Sequence, residues 1–409
     1  MSLLGEDRHH DIAGSLVPLG DKSRELMLWS ASASLRAMQD KIVRERRRTR
    51  CITPTDAERD ILKRPLELFD RVLRFPKGQD QLSLYDQYCL VVAEVGVGHC
   101  LALLRNYTSA ESYLSPAAMQ GAAFLAKCPK DDFCFGNNPH AIPDRPLSWG
   151  QDLCLIDFMA MAPLPTTALF TRSQFNESSG PTMAFLIVKQ ARIMLAAMFL
   201  HTKRYPEALR QAEETLALVE SFADFNMLQT QAAKNYLMHL TPCILLIKAL
   251  ALKRMDNAEH DVLIATWEQL CDKAEQLARA GHDEDAASLL SKCAKQYLGM
   301  SGIKRFILDD NVLHTDNSPV AEYLSRAAEI YGLAAVSCAK YIQSIKRVTP
   351  ITRAVTQALH SAYMDLMKYH LYRGVCAPSK GLAQRYLECS HAAREEFTRS
   401  SHWLITKTL

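Results

Sequence analysis

Cys128, Cys134, His140 and Cys154 supply four side chains of the types that hold zinc. Five residues separate Cys128 from Cys134 and Cys134 from His140, with Cys154 farther on. That is wider than the two-to-four-residue clasp of structural zinc sites, so the spacing favours ordinary thiols in an apolar loop over a metal centre. His99 and Cys100 place a base beside a thiol, but neighbouring positions of a helix point about 100° apart and do not face each other. Gly96-Val-Gly98 lacks the third glycine and the preceding strand of a dinucleotide loop. Asp131-Asp132 and Asp309-Asp310 sit among turn residues and read as turn and capping groups. The sequence has no phosphate loop, no His-Glu-x-x-His and no Gly-x-Ser-x-Gly. No catalytic, cofactor-binding or metal-binding residue is therefore expected, and the chain does not read as an enzyme.

The remaining chemistry is charge. Lys41 to Arg50 holds six basic residues in ten. Arg46, Arg47 and Arg48 could meet an acidic protein partner, serve as a nuclear import signal or contact RNA phosphates, and Arg46-Arg47-Arg48-Thr49 has the form of a kinase site. Against these stands a solvated helix end, where cations favour the negative end of the dipole. Over the whole chain 48 basic and 45 acidic side chains leave a net charge of +3. A protein that coats itself in nucleic acid needs far more.

These residues must be positioned by helices. The 409 residues are 48% hydrophobic and 23% charged, ordinary globular usage, with only 16 glycines. Pro181 to Ala280 contains no glycine at all and is filled mostly by Ala, Leu, Met, Gln, Glu and Lys, the residues that lose least rotamer freedom in a helix. From Met183 to Ala197 apolar residues crowd one stripe, with Lys189, Gln190 and Arg192 expected on a solvent face. Thr55-Asp-Ala-Glu58 has capping-box spacing, so a helix should open there and run toward Leu73. Further helices are expected over 21–50, 82–105, from Ser318-Pro319 through Ile345, 349–373 and 379–397. No convincing hairpin of strands is present. The longest uncharged windows carry prolines or polar residues and fall short of a membrane span. The N-terminal residues lack the apolar core of a signal peptide. Most cysteines lie in apolar helical runs, which suits reduced thiols and a cytoplasmic location, with the nucleus as the alternative.

Five segments follow: a flexible N-terminus over 1–20, helical hairpins over 21–128, a Pro-rich apolar insertion over 129–181 packed on the body, repeats over 182–308, and C-terminal hairpins over 309–409. The insertion is expected to hold a short helix near 149–162, and 308–319 forms a smaller break.

Gly98, Leu101, Ala110, Leu114 and Ala117 recur, with the same offsets, as Ala196, Phe199, Ala208, Ala212 and Thr215, and again as Ala274, Leu277, Ala286, Leu290 and Cys293. Each set brackets a turn, at Arg105-Asn-Tyr107, Lys203-Arg-Tyr-Pro206 and Ala280-Gly-His-Asp283. Small residues let antiparallel helices approach, and larger ones fill the gaps between pairs. The offsets resemble the tetratricopeptide repeat, a 34-residue helix-turn-helix unit. The match is best over Lys189 to Glu220 and then Trp267 to Met300. In the first set Pro116 should interrupt the second helix, and the spacings between Ala110, Ala208 and Ala286 are not multiples of the repeat. The resemblance implies an all-α fold: antiparallel helix pairs stacked as a tetratricopeptide-like α-solenoid, or superhelix, with an irregular Pro-rich insertion.

Tetratricopeptide domains that grip C-terminal carboxylates carry Lys and Asn on the inner helix. The corresponding positions here are Val95 and His99, Ile193 and Ala197, and Cys271 and Glu275. That clamp is missing. The resemblance therefore makes Val95, His99, Ile193 and Ala197 an apolar wall for a partner's amphipathic helix or for the chain's own insertion, unless they are simply inter-repeat core. Within the superfamily, the order of the Phe69 helix, the Tyr85-Asp-Gln-Tyr-Cys89 helix, the apolar Ile244 to Leu252 helix and Trp267 is similar to the huntingtin-associated adaptor family. Its members pack against a larger helical-repeat partner. The expected function is a non-catalytic scaffold or adaptor subunit for a protein partner. A ribonucleoprotein subunit using 41–50 is the alternative, followed by an unrecognised helical enzyme.

Overall fold

The computed structural model describes residues 21–49, 54–74, 84–127, 180–223, 231–256, 258–300, 319–346, 363–373 and 380–408, with backbone alone at some helix ends. The expected N-terminal segment, the body of the insertion with its short helix, all four zinc-type residues, both aspartate pairs and the 308–318 break lie outside the described residues.

Every regular element among the described residues is a helix. In chain order they are α1 (Asp21–Thr49), α2 (Asp56–Leu73), α3 (Leu84–Leu103), α4 (Tyr107–Lys127), α5 (Gly180–His201), α6 (Tyr205–Ala223), α7 (Gln231–Arg254), α8 (His260–Arg279), α9 (Asp283–Met300), α10 (Pro319–Lys346), α11 (363–373) and α12 (Lys380–Thr408). The chain divides into two compact units, Met1–Glu259 and His260–Leu409.

In the first unit each helix packs on the next, from α1 through α7, and α1, α3, α5 and α7 also pack successively on one another. The odd helices thus form one layer, with α2, α4 and α6 laid against it. Sequence explains the division of labour. Helix α2 is amphipathic, opened by the expected capping box: Thr55 Oγ1 accepts from the Glu58 amide at 3.2 Å, and the Glu58 carboxylate accepts from the Thr55 amide at 3.0 Å. Helices α3 and α5 are apolar nearly all round, and their described side chains are buried nearly all round. Lys189 and Gln190, expected on a solvent face, are for that reason buried as well. Helix α5 packs against α3, α4, α6 and α7, which leaves it no free side.

Glycine permits the closest approaches. A Cβ on Gly96 would lie 2.5 Å from the Phe69 ring, and one on Gly98 would lie 2.5 Å from Leu114 Cγ. Gly121 likewise sits under Val188. The expected break at Pro116 does not occur: α4 runs unbroken from Tyr107 to Lys127. Proline removes one N–H and crowds the carbonyl four residues earlier. Here that residue is the exposed Ser112, while Leu114 and Ala117 on either side of the proline are fully buried. Their burial holds the helix together across the defect.

In the second unit α8 packs on α9 and α9 on α10. Residues of α11 continue the succession: Tyr372 rests against Tyr331 of α10, and Ser390 of α12 donates to the Met367 carbonyl at 3.0 Å. Helix α12 extends to Thr408, beyond the expected end near Phe397.

Candidate functional site

Three of the hairpins share one turn. At α3–α4 the Asn106 amide donates to the Leu101 carbonyl at 2.9 Å and the Arg105 amide to Ala102 at 3.0 Å. At α5–α6 the same bonds join Arg204 to Phe199 and Lys203 to Leu200. At α8–α9 they join His282 to Leu277 and Gly281 to Ala278. This is the Schellman closure, which demands a left-handed residue just past the helix. Arg105, Lys203 and Gly281 occupy that position with φ of 59°, 64° and 85°. Each turn lies five residues before Ala110, Ala208 or Ala286, and all three of those methyls are fully buried. The repeated offsets are therefore a repeated geometry.

The first two hairpins also meet one another, although the chain between them includes residues 128–179. Arg204 donates to Glu111 at 2.7 Å and to Glu207 at 3.0 Å, and its guanidinium lies over the Phe199 ring. Beside it the rings of Tyr107 and His201 make an edge contact at 5.1 Å. The turn ends of the two hairpins are thus side by side.

The expected partner-binding wall is not open. Val95 and His99 are 0% exposed, Ile193 is 4% and Ala197 is 1%. They belong to the core of the first unit, because α3 and α5 are each packed by four other helices. Cys271 is buried in the same way, while Glu275 is partly exposed and paired with Arg279. Arg46, Arg47 and Arg48 fall in the last turns of α1. Their side chains lie outside the described residues.

Sequence reading missed several buried or half-buried polar groups. Arg24 of α1 pairs with Asp86 of α3 at 2.6 Å, almost without solvent. Lys189 has its ammonium driven down to about 7 by burial, with Cys243 of α7 nearby. In the second unit the Glu268 carboxylate accepts from Tyr297 at 2.6 Å and from Arg326 at 2.6 and 3.1 Å. Burial pushes this carboxyl up, but those donors outweigh it and leave it below its ordinary value. Asp365 of α11 is pushed up to about 6 by burial, partly offset by Lys368, by a hydrogen bond from Ser291 at 3.2 Å and by Lys295. The sequence offers little signal for these groups: Asp86 stands alone among apolar and uncharged neighbours, but Arg24 lies between Lys22 and Glu25, Lys189 lies near Arg192, and Asp365 lies one turn from Lys368.

Among the described residues no three His, Cys, Asp or Glu side chains come together as a metal site. The cysteines there are free, and Cys389 alone of them is exposed. Burial raises the thiols of Cys89 and Cys338 to about 12, so they serve as small core residues. What the described surface does offer is apolar. Met119 is 68% exposed, Leu26 and Trp29 are each 56% exposed, and Val336 is 54% exposed beside Leu333 on α10. No described helix is long and apolar enough to cross a membrane. No protein-family model, curated protein or solved structure matches the chain.

Proposed function

We propose that the chain is a non-catalytic scaffold or adaptor subunit that holds a protein partner on a tetratricopeptide-like helical surface in the cytoplasm. The observation that carries this reading is the repeated hairpin, with one turn geometry at Arg105, Lys203 and Gly281. Repeats of this kind build extended surfaces from stacked units. The buried and half-buried charged groups support it further. Arg24 with Asp86, and Glu268 with Tyr297 and Arg326, tie helix to helix, which is a structural use of charge.

The partner meets exposed apolar positions instead of the buried wall. Met119 on α4, and Leu333 with Val336 on α10, are the exposed apolar side chains offered to it. The test is affinity purification of the endogenous chain with quantitative mass spectrometry. Wild-type chain should retain one protein at fixed stoichiometry. Met119→Glu or Val336→Glu should lower that protein by about tenfold or more, as loss of an interface anchor does. Retention unchanged in both variants, with each still folded, would remove these surfaces from the account.

A further inference from the structure

Two core cysteines of the second unit lie against each other. Tyr297 of α9 donates to Glu268 of α8 at 2.6 Å, which fixes the register of the α8–α9 hairpin. Three residues on along α8 and four back along α9, the same register brings Cys271 level with Cys293. The side chains meet there, the Cys293 thiol hydrogen-bonding to Cys271. Both residues are buried, as are Ala274 and Ala286 nearer the turn, whose methyls let the two helices run close.

Other core thiols are hydrogen-bonded to oxygen. Cys243 donates to the His239 carbonyl at 3.0 Å, and Cys89 is bonded to the Tyr85 hydroxyl. Cys271 and Cys293 instead set sulfur on sulfur. Sulfurs in hydrogen-bond contact need to close by only about 1–2 Å to reach a disulfide bond length.

Burial decides how such a bond can form. It pushes the Cys293 thiol well up, so the closed hairpin keeps it protonated at neutral pH. Only a thiolate attacks an oxidant. Oxidation therefore starts when the hairpin opens locally and finishes as it closes, with the second thiol already beside the first.

We infer that Cys271 and Cys293 are a dithiol modification site, converted to a disulfide that locks α8 to α9 when a small-molecule disulfide such as oxidised glutathione is abundant. The first thiolate takes one half of the oxidant and releases the other half as a thiol. The second thiolate then displaces the bound half. Two S–H bonds break, one S–S bond forms between the cysteines, and both electrons and both protons end on the two product thiols. In a reducing compartment the pair rests as thiols. The cross-link encloses 21 residues, which restricts the unfolded chain and stabilises the second unit. The site lies in the core, so the inference stands apart from the adaptor reading.

The test equilibrates the full chain, with its 12 cysteines, in glutathione buffers of rising oxidised fraction, traps free thiols and maps the peptides. A peptide linking Cys271 to Cys293 should appear. The melting temperature should rise with it by about 5 °C or more, and dithiothreitol should reverse both. Cys293→Ala should leave Cys271 as a thiol and remove the rise on oxidation. If that variant does not fold, the wild-type map and melt decide alone. Cys271 and Cys293 that still alkylate after the exposed Cys389 has become a mixed disulfide overturn the inference. So does Cys271 linked to any other cysteine, or a linked chain that melts no higher than the reduced one.

Discussion

Arg204, in the turn between α5 and α6, donates to Glu111 of α4 across 2.7 Å of space and 93 residues of sequence. The contact joins the turn ends of two hairpins that the chain itself separates. Both side chains are partly exposed, so the pair is screened and modest in energy. A double-mutant cycle with Arg204→Ala and Glu111→Ala, read by urea unfolding, should show a coupling of about 0.5–1 kcal/mol that shrinks in high salt. Zero coupling at low salt would mean that the two hairpins do not meet there.

Left-handed backbone costs an L-residue about 1 kcal/mol, and glycine escapes that cost. The third turn has glycine at this position; the first two have Arg105 and Lys203. Arg105→Gly and Lys203→Gly should each stabilise the first unit by about 0.5–1 kcal/mol. Gly281→Ala should destabilise the second unit by a similar amount. Denaturant midpoints that move in the opposite directions would contradict the shared turn.

Helix crossings at glycine and alanine leave no room for growth. Gly98→Val would drive a methyl into Leu114, and Ala208→Phe would force α5 and α6 apart. Each should cost about 1–3 kcal/mol through overpacking, seen as a lower melting temperature. Melting curves that match wild type would place those residues elsewhere than at the crossings.

Asp365 links the second unit to pH. Charged groups face it from its own helix (Lys368) and from α9 (Lys295), with Ser291 of α9 donating a hydrogen bond and Tyr331 and Cys338 of α10 close by. Its carboxyl ionises near 6 in the folded chain against 3.8 when unfolded, so the folded state holds its proton more tightly. Stability from this group is therefore full below pH 3.8 and is lost as pH rises toward 6. The loss amounts to about 3 kcal/mol. Wild-type stability measured relative to Asp365→Asn should fall by that order between pH 4 and 7 and then stay flat. A difference that does not change with pH would mean that Asp365 is solvated.

Much of this architecture was legible in the residues. Thr55 and Glu58 announced the start of α2, and the glycine-free stretch after Pro181 announced helices. The offsets around Ala110, Ala208 and Ala286 located three crossings before any coordinates. Each of these depends on neighbours in sequence, or on small side chains that have only one use in such a place. The failures share a different cause. Pro116 and Lys189 were read by local rules, and tertiary packing overrode both: burial around Leu114 and Ala117 carries α4 through its proline, and four surrounding helices bury Lys189. Val95, Ile193 and Ala197 are apolar residues, and His99 a polar one, on apolar helices. Nothing in such a run distinguishes a wall facing a partner from one facing another helix of the same chain.

The adaptor reading is tested most directly by the native mass of the endogenous chain, measured in extracts at physiological salt. The account expects nearly all of it in a stoichiometric complex with another protein, held through the surfaces at Met119 and Val336. A chain that runs with one or two copies of itself and nothing else would contradict it.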